Sequence, residues 1–172
     1  LTMRLLAEEK KTGTLEMLLT KAVTDRQVVL GKFVSAVMLV LVALACTTPY
    51  VITLSKIGNI DAGEVVCGYL GLILMSACYI SIGLYASSQT NNQIVAFLMA
   101  LFIGIFFHII FEVLASSFTG AVSVVFHTLS LSNHFDSISR GVVDSRDIIY
   151  FCSIIFTGLF LSELSLTKRN LN

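Results

Sequence analysis

The sequence predicts an all-α, polytopic helical membrane protein, and three observations carry that reading. Between Glu64 and Glu112 lie 47 residues without a charged side chain, and the polar run Ser87–Gln93 divides them into two apolar segments. Apolar residues make up 56% of the chain and charged residues 13%, well below the quarter or so expected of a soluble domain. Apolar runs recur at 33–55, 65–86, 94–114 and 148–166. Each run is long enough to cross a hydrocarbon core of about 30 Å as a helix rising about 1.5 Å per residue. Unpaired backbone groups cost several kcal/mol in lipid, so all four are expected to be helical despite many β-branched residues.

The division that follows is a cytoplasmic loop over 1–32, a transmembrane bundle over 33–166 and a cytoplasmic tail over 167–172. An external segment, 115–147, interrupts the bundle. Orientation rests on the basic residues. With the N-terminal side cytoplasmic, Arg4, Lys10, Lys11, Lys21, Arg26, Lys32, Lys168 and Arg169 lie inside, against Lys56, Arg140 and Arg146 outside. This eight-to-three excess follows the positive-inside rule, and the expected location is the cell (inner) membrane. The chain opens on Leu1 with no signal-peptide pattern, and is expected to be the C-terminal part of a longer protein.

Ahead of the first span, Leu15, Leu18, Leu19 and Ala22 fall at i, i+3, i+4 and i+7, one apolar face of a helix too short to span, with Glu16 and Lys21 beside it. On pattern alone this helix also suits an interfacial anchor on anionic head groups. Thr24-Asp25-Arg26-Gln27 forms a capping box, so a new helix is expected to start near Asp25 and continue into the first span. Pro49 removes a backbone bond and should kink that span, with Thr47 and Thr48 satisfying the freed groups and Pro49 available as a hinge. Gly68, Gly71, Ser76, Ala77, Ser81 and Gly83 mark the second span for close helix packing.

His108 and Glu112 are i, i+4 near the outer end of the third span, where they would suit a substrate path or proton relay. Glu163, near the inner end of the fourth, reads as a snorkelling interfacial residue. In the external segment, Ala121–Leu131 and His134–Arg140 read as two short helices, Asp144 as a cap and Asp147 as a first-turn acid of the last span. His127, His134 and Asp136 are irregularly spaced for metal ligation. Cys46, Cys67, Cys78 and Cys152 sit in apolar spans and read as packing residues, with no metal or disulfide spacing. Gly31-Lys32 lacks the upstream glycine of a phosphate-binding loop, and nothing in the charge distribution calls for nucleic acid.

The run Leu1–Thr20 followed by Asp25–Phe33 resembles the cytoplasmic loop of type-2 ATP-binding-cassette (ABC) transporter permeases. The likeness is nearest to the branch associated with gliding motility and nitrous-oxide-reductase maturation, and Asn133–Phe151 is similar to that branch's segment before its last span. Ala22 departs from the proline usual after the short helix. The resemblance implies a six-span, non-catalytic permease whose first two spans lie outside this chain. It implies a partly re-entrant external segment, and a short coupling helix (Leu15, Glu16, Leu18, Leu19, Lys21) docked on a separate ABC ATP-binding subunit. That subunit would hold ATP and magnesium, no cofactor would sit in this chain, and a second permease copy or a homologous permease would complete the transporter in membrane lipid. The competing reading is an intramembrane enzyme or ion-conducting bundle using His108 and Glu112.

Overall fold

The computed structural model describes residues 24–58, 61–118 and 120–170. Of these, 89% are helical and no strand occurs among them. Helices over Asp25–Ile57, Ala62–Gln89, Gln93–Ser117 and Ser145–Lys168 are long and apolar enough to cross a membrane. Each extends past its apolar run, because capping groups rather than the last apolar residue end the backbone ladder.

The first helix is two pieces, α1 (Asp25–Ala45) and α2 (Thr48–Ile57). Pro49 lies at the start of α2 and has no N–H to donate. Thr48 Oγ1 donates to the Ala45 carbonyl instead, and Thr47 Oγ1 to Leu44, each at 2.6 Å. The Thr47 proton being used, Tyr69 donates its hydroxyl to Thr47 Oγ1 at 2.7 Å. Helix α3 (Ala62–Gln89) starts where Asp61 Oδ1 accepts from the Gly63 N–H at 2.8 Å. The polar run expected as a loop is helical as far as Gln89, with Ser87 and Ser88 buried, so the turn shrinks to three residues. Asn92 closes it by accepting from the Ile94 N–H at 3.0 Å.

Helix α4 (Gln93–Ile105) passes through one π-helical turn, Phe106–Ile110, into α5 (Phe111–Ser117). Two short helices follow, α6 (Ala121–Leu129) and α7 (Leu131–Ser139), then α8 (Ser145–Asn170). Gly141 takes φ 86° just past the end of α7, a left-handed position suited to glycine.

The residues form two compact units. One holds the described residues up to Ala36, Ala77–Ile105 and those from Cys152 onward. Its core is the second half of α3, where Cys78, Ser81, Leu84, Ala86 and Ser87 have no exposed surface. Gly158 of α8 lies so close that a Cβ there would fall 2.8 Å from Ser81 Oγ and 3.1 Å from the Ser81 carbonyl carbon. Gly104 of α4 gives the Tyr79 ring similar room, with a Cβ-equivalent distance of 3.3 Å. Small residues thus draw helices together where apolar burial gives no drive between them.

The other unit holds Val37–Ser76 and Phe106–Phe151. Phe135 and Ile138 of α7 pack on Gly71 of α3, and Leu131, Ile138 and Phe151 are fully buried. Phe106, Phe107, Phe111, Phe118 and Phe126 form a chain of ring contacts joining the π turn, α5 and α6. Of the four cysteines, Cys78 alone is buried; Cys46 and Cys152 are exposed, which corrects their reading as packing residues.

Candidate functional site: a clasp between helix ends

The most connected polar cluster beside the expected coupling segment is at the start of α1. Gln27 reaches back so that its Oε1 accepts from the Thr24 N–H at 3.1 Å, which is the Gln27 half of the capping box, and the helix begins at Asp25. That cap fixes the rotation of the first turn. Arg26 then donates through Nε to Glu163 Oε1 of α8 at 2.5 Å, and the Thr167 hydroxyl of α8 shares its hydrogen between Asp25 Oδ2 and the Glu163 carbonyl of its own helix, each at 3.1 Å. Two successive residues of α1 therefore hold two residues of α8 spaced i, i+4, one face of that helix. Glu163, expected from sequence as a snorkelling interfacial residue, is a partner in an ion pair with Arg26. Its position among apolar neighbours gave no sign of Arg26, 137 residues away. Ser165 Oγ adds a bond from α8 to the Ser88 carbonyl of α3 at 3.1 Å.

The pair is lopsided in exposure, with the Arg26 side chain 71% and the Glu163 side chain 24% accessible. Exposed pairs of this kind contribute roughly 0.2–1 kcal/mol. The clasp can therefore be broken and remade.

The remaining sequence-selected positions distribute as follows. Leu15, Glu16, Leu18, Leu19 and Lys21 lie outside the described residues. Pro49 marks a real interruption of the first apolar helix. His108 lies half-buried within the π turn, whereas Glu112 is exposed on α5. The π turn, a feature common near functional sites, was not foreseen, because Phe106–Ile110 is as apolar as the α-helix around it.

A second polar cluster lies in the 106–151 region. The last carbonyls of α6 have no helical partners. Asn133 Nδ2 donates to His127 O at 3.0 Å, His134 Nε2 to Thr128 O at 3.0 Å, and the Tyr150 hydroxyl to Leu129 O. His134 Nδ1 meets Asp147 Oδ1 at 2.6 Å, and its ring stacks on Tyr150 at a centroid distance of 4.1 Å. Asp147 is buried as well as being a first-turn acid of α8, and Asp144 Oδ1 accepts from the Arg146 N–H at 3.1 Å as a cap. His134 is thus committed to closing a helix end, while His127 and Asp136 are exposed. Among the described residues, no group of three or more His, Cys, Asp or Glu is gathered as a metal site would require. Gly31 and Lys32 lie within α1, where backbone N–H groups serve the helix and cannot cradle a phosphate.

Four helices long and apolar enough to cross a membrane, the first interrupted at Pro49, mark an all-α, multi-pass membrane protein. The model of the ABC-2 family transporter proteins matches residues 1–143, and the chain belongs to that family: it is a membrane-spanning permease component of an ABC transporter. A search among curated proteins gives no match.

Proposed function

We propose that this permease receives ATP-driven motion from a separate ATP-binding subunit through residues 14–22, and passes it to the membrane helices through the clasp at the start of α1. The observation that carries this is the double tie of Asp25 and Arg26 to Thr167 and Glu163. Three residues beyond the apolar face at Leu15, Leu18, Leu19 and Ala22, the chain is already bound to the last helix. A displacement of the short segment then moves α1 and α8 together while the clasp is closed. The Pro49 break lets the first half of that helix turn without carrying the second half rigidly along. Such transmission requires two arrangements of the helices with different affinity for the ATPase state. ATP and magnesium belong to the partner, and the substrate pathway is completed by a second permease copy or a homologue. The segments Leu1–Thr20 and Asn133–Phe151 favour the gliding-motility and nitrous-oxide-reductase-maturation branch, in an inner membrane with the Asp25 side cytoplasmic.

The test is retention of the ATPase by solubilised permease. Leu15, Leu18 and Leu19 act as buried anchors, each contributing roughly 1–3 kcal/mol, while Glu16 and Lys21 sit on the rim and contribute little. Leu18→Asp should release the ATPase at unchanged membrane level, and Glu16→Gln should retain it. Retention at parental stoichiometry by Leu18→Asp would replace the coupling reading with an interfacial anchor.

A further inference from the structure

Below the clasp, Val29 and Leu30 of α1 and Phe156, Leu159 and Phe160 of α8 line a groove of about 310 Å³, with Arg26 and Glu163 at its mouth. We propose that this groove binds one phospholipid whose head group carries both a phosphate and a primary ammonium, with an acyl chain along the apolar floor.

The volume lies within the range of small-ligand pockets, about 300–1,000 Å³. Val29, 2% exposed, forms the floor, and Leu30, Phe156 and Phe160, at 49%, 71% and 45%, stand as walls. The Phe156 and Phe160 rings are nearly parallel, 8° apart with centroids 6.2 Å from each other, so one wall is aromatic. Large side chains on both walls keep another helix's backbone from the close approach that membrane helix pairs use. A flexible acyl chain needs no such approach.

The mouth selects the head group. Arg26 meets Glu163 only through Nε, and its two terminal nitrogens make no hydrogen bond among the described residues. They form the planar fork that binds phosphate in two-pronged fashion. Glu163 uses Oε1 in the pair, leaving Oε2 to accept from an ammonium. One fixed cation beside one fixed anion complements a zwitterion. A net-anionic lipid would gain the Arg26 contact and meet repulsion from Glu163. A lipid seated here would brace the clasp from the membrane side, so head-group composition would bear on how readily α1 and α8 part.

The chain contains no tryptophan, so Phe160→Trp supplies a single fluorescent reporter on the groove wall. Leu98→Trp, 45% exposed on α4 and outside the groove, reports ordinary lipid contact. Each variant is reconstituted as the full chain in vesicles of phosphatidylcholine containing brominated phosphatidylethanolamine or brominated phosphatidylglycerol. At Phe160→Trp the ethanolamine lipid should quench with about threefold preference, the scale of one exposed ion pair, and Leu98→Trp should show none. Adding Glu163→Gln should shift the preference to the glycerol lipid, and Arg26→Gln should weaken both. If Phe160→Trp fails to assemble, Leu30→Trp on the opposite wall takes its place. Equal quenching by the two lipids, unmoved by Glu163→Gln, would overturn the proposal. So would absence of quenching in the groove while Leu98→Trp is quenched, since a protein segment or second copy would then fill it.

Discussion

His134 is held at both ring nitrogens, and the direction of one of its hydrogen bonds follows from its partner. Thr128 O can only accept, so Nε2 carries a hydrogen. The second nitrogen then either donates to an Asp147 carboxylate or accepts from an Asp147 carboxylic acid, and both arrangements tie α7 to α8. Asp147 Oδ2 is buried with no hydrogen bond among the described residues, so His134 is the side chain that holds this carboxyl group. His134→Ala would strip that partner, free the Thr128 carbonyl at the end of α6 and remove the stack on Tyr150, at a cost of about 3 kcal/mol or more. Asn133→Ala, which loses one exposed bond to His127 O, should cost about 1 kcal/mol. Thermal unfolding of purified protein in detergent checks this, and equal losses for the two variants would deny His134 its central place. Sequence placed Asp144 and Asp147 at the start of the last helix from local rules. It did not pair Asp147 with His134, because thirteen residues and an intervening turn carry no periodic signal.

Helix boundaries were more legible than helix contacts. The Gln27 half of the Thr24–Gln27 box, the Pro49 break and the two short helices α6 and α7 could be read because capping, proline chemistry and apolar spacing act within one turn. Their tertiary neighbours act across the chain and leave no such trace. Gly71 stood out in a span rich in small residues, whereas Gly158 is the single glycine of its helix. Yet Gly158 makes the tighter approach, since its Cβ position meets Ser81 backbone as well as side chain. Backbone cannot rotate aside, so Gly158→Ala should destabilise by about 1–3 kcal/mol despite alanine's better helix propensity. Gly68, with nothing within 4 Å of its Cβ position, should accept alanine with a gain of up to about 1 kcal/mol. Monodispersity and melting temperature after extraction read both. Ser81→Gly should partly rescue Gly158→Ala, because it removes the two nearest atoms; failure of that rescue would place the strain elsewhere.

For the molecule as a whole, the four spans were legible from apolar length alone, and the side of the membrane rests on charge. The basic residues divide eight to three between the two faces, and the face with eight is the cytoplasmic one by the positive-inside rule if the Asp25 end of α1 is cytoplasmic. The clasp sharpens what depends on this. On the proposed coupling, residues 14–22 and the Arg26–Glu163 pair share the compartment of the ATP-binding subunit. With the four native cysteines replaced, cysteine at exposed Val142, between α7 and α8, should react with an impermeant maleimide added to intact cells. Cysteine at exposed Asn91, in the short turn between α3 and α4, should react only after the membrane is opened. The two sites are separated by one long apolar helix, Gln93–Ser117, and by the short helices α6 and α7. If α6 and α7 do not span, Asn91 and Val142 must lie on opposite sides. Labelling of both from outside would mean that α6 and α7 together return the chain across the membrane. Labelling of Asn91 alone would invert the orientation, put the clasp outside the cell and remove the basis for coupling through residues 14–22.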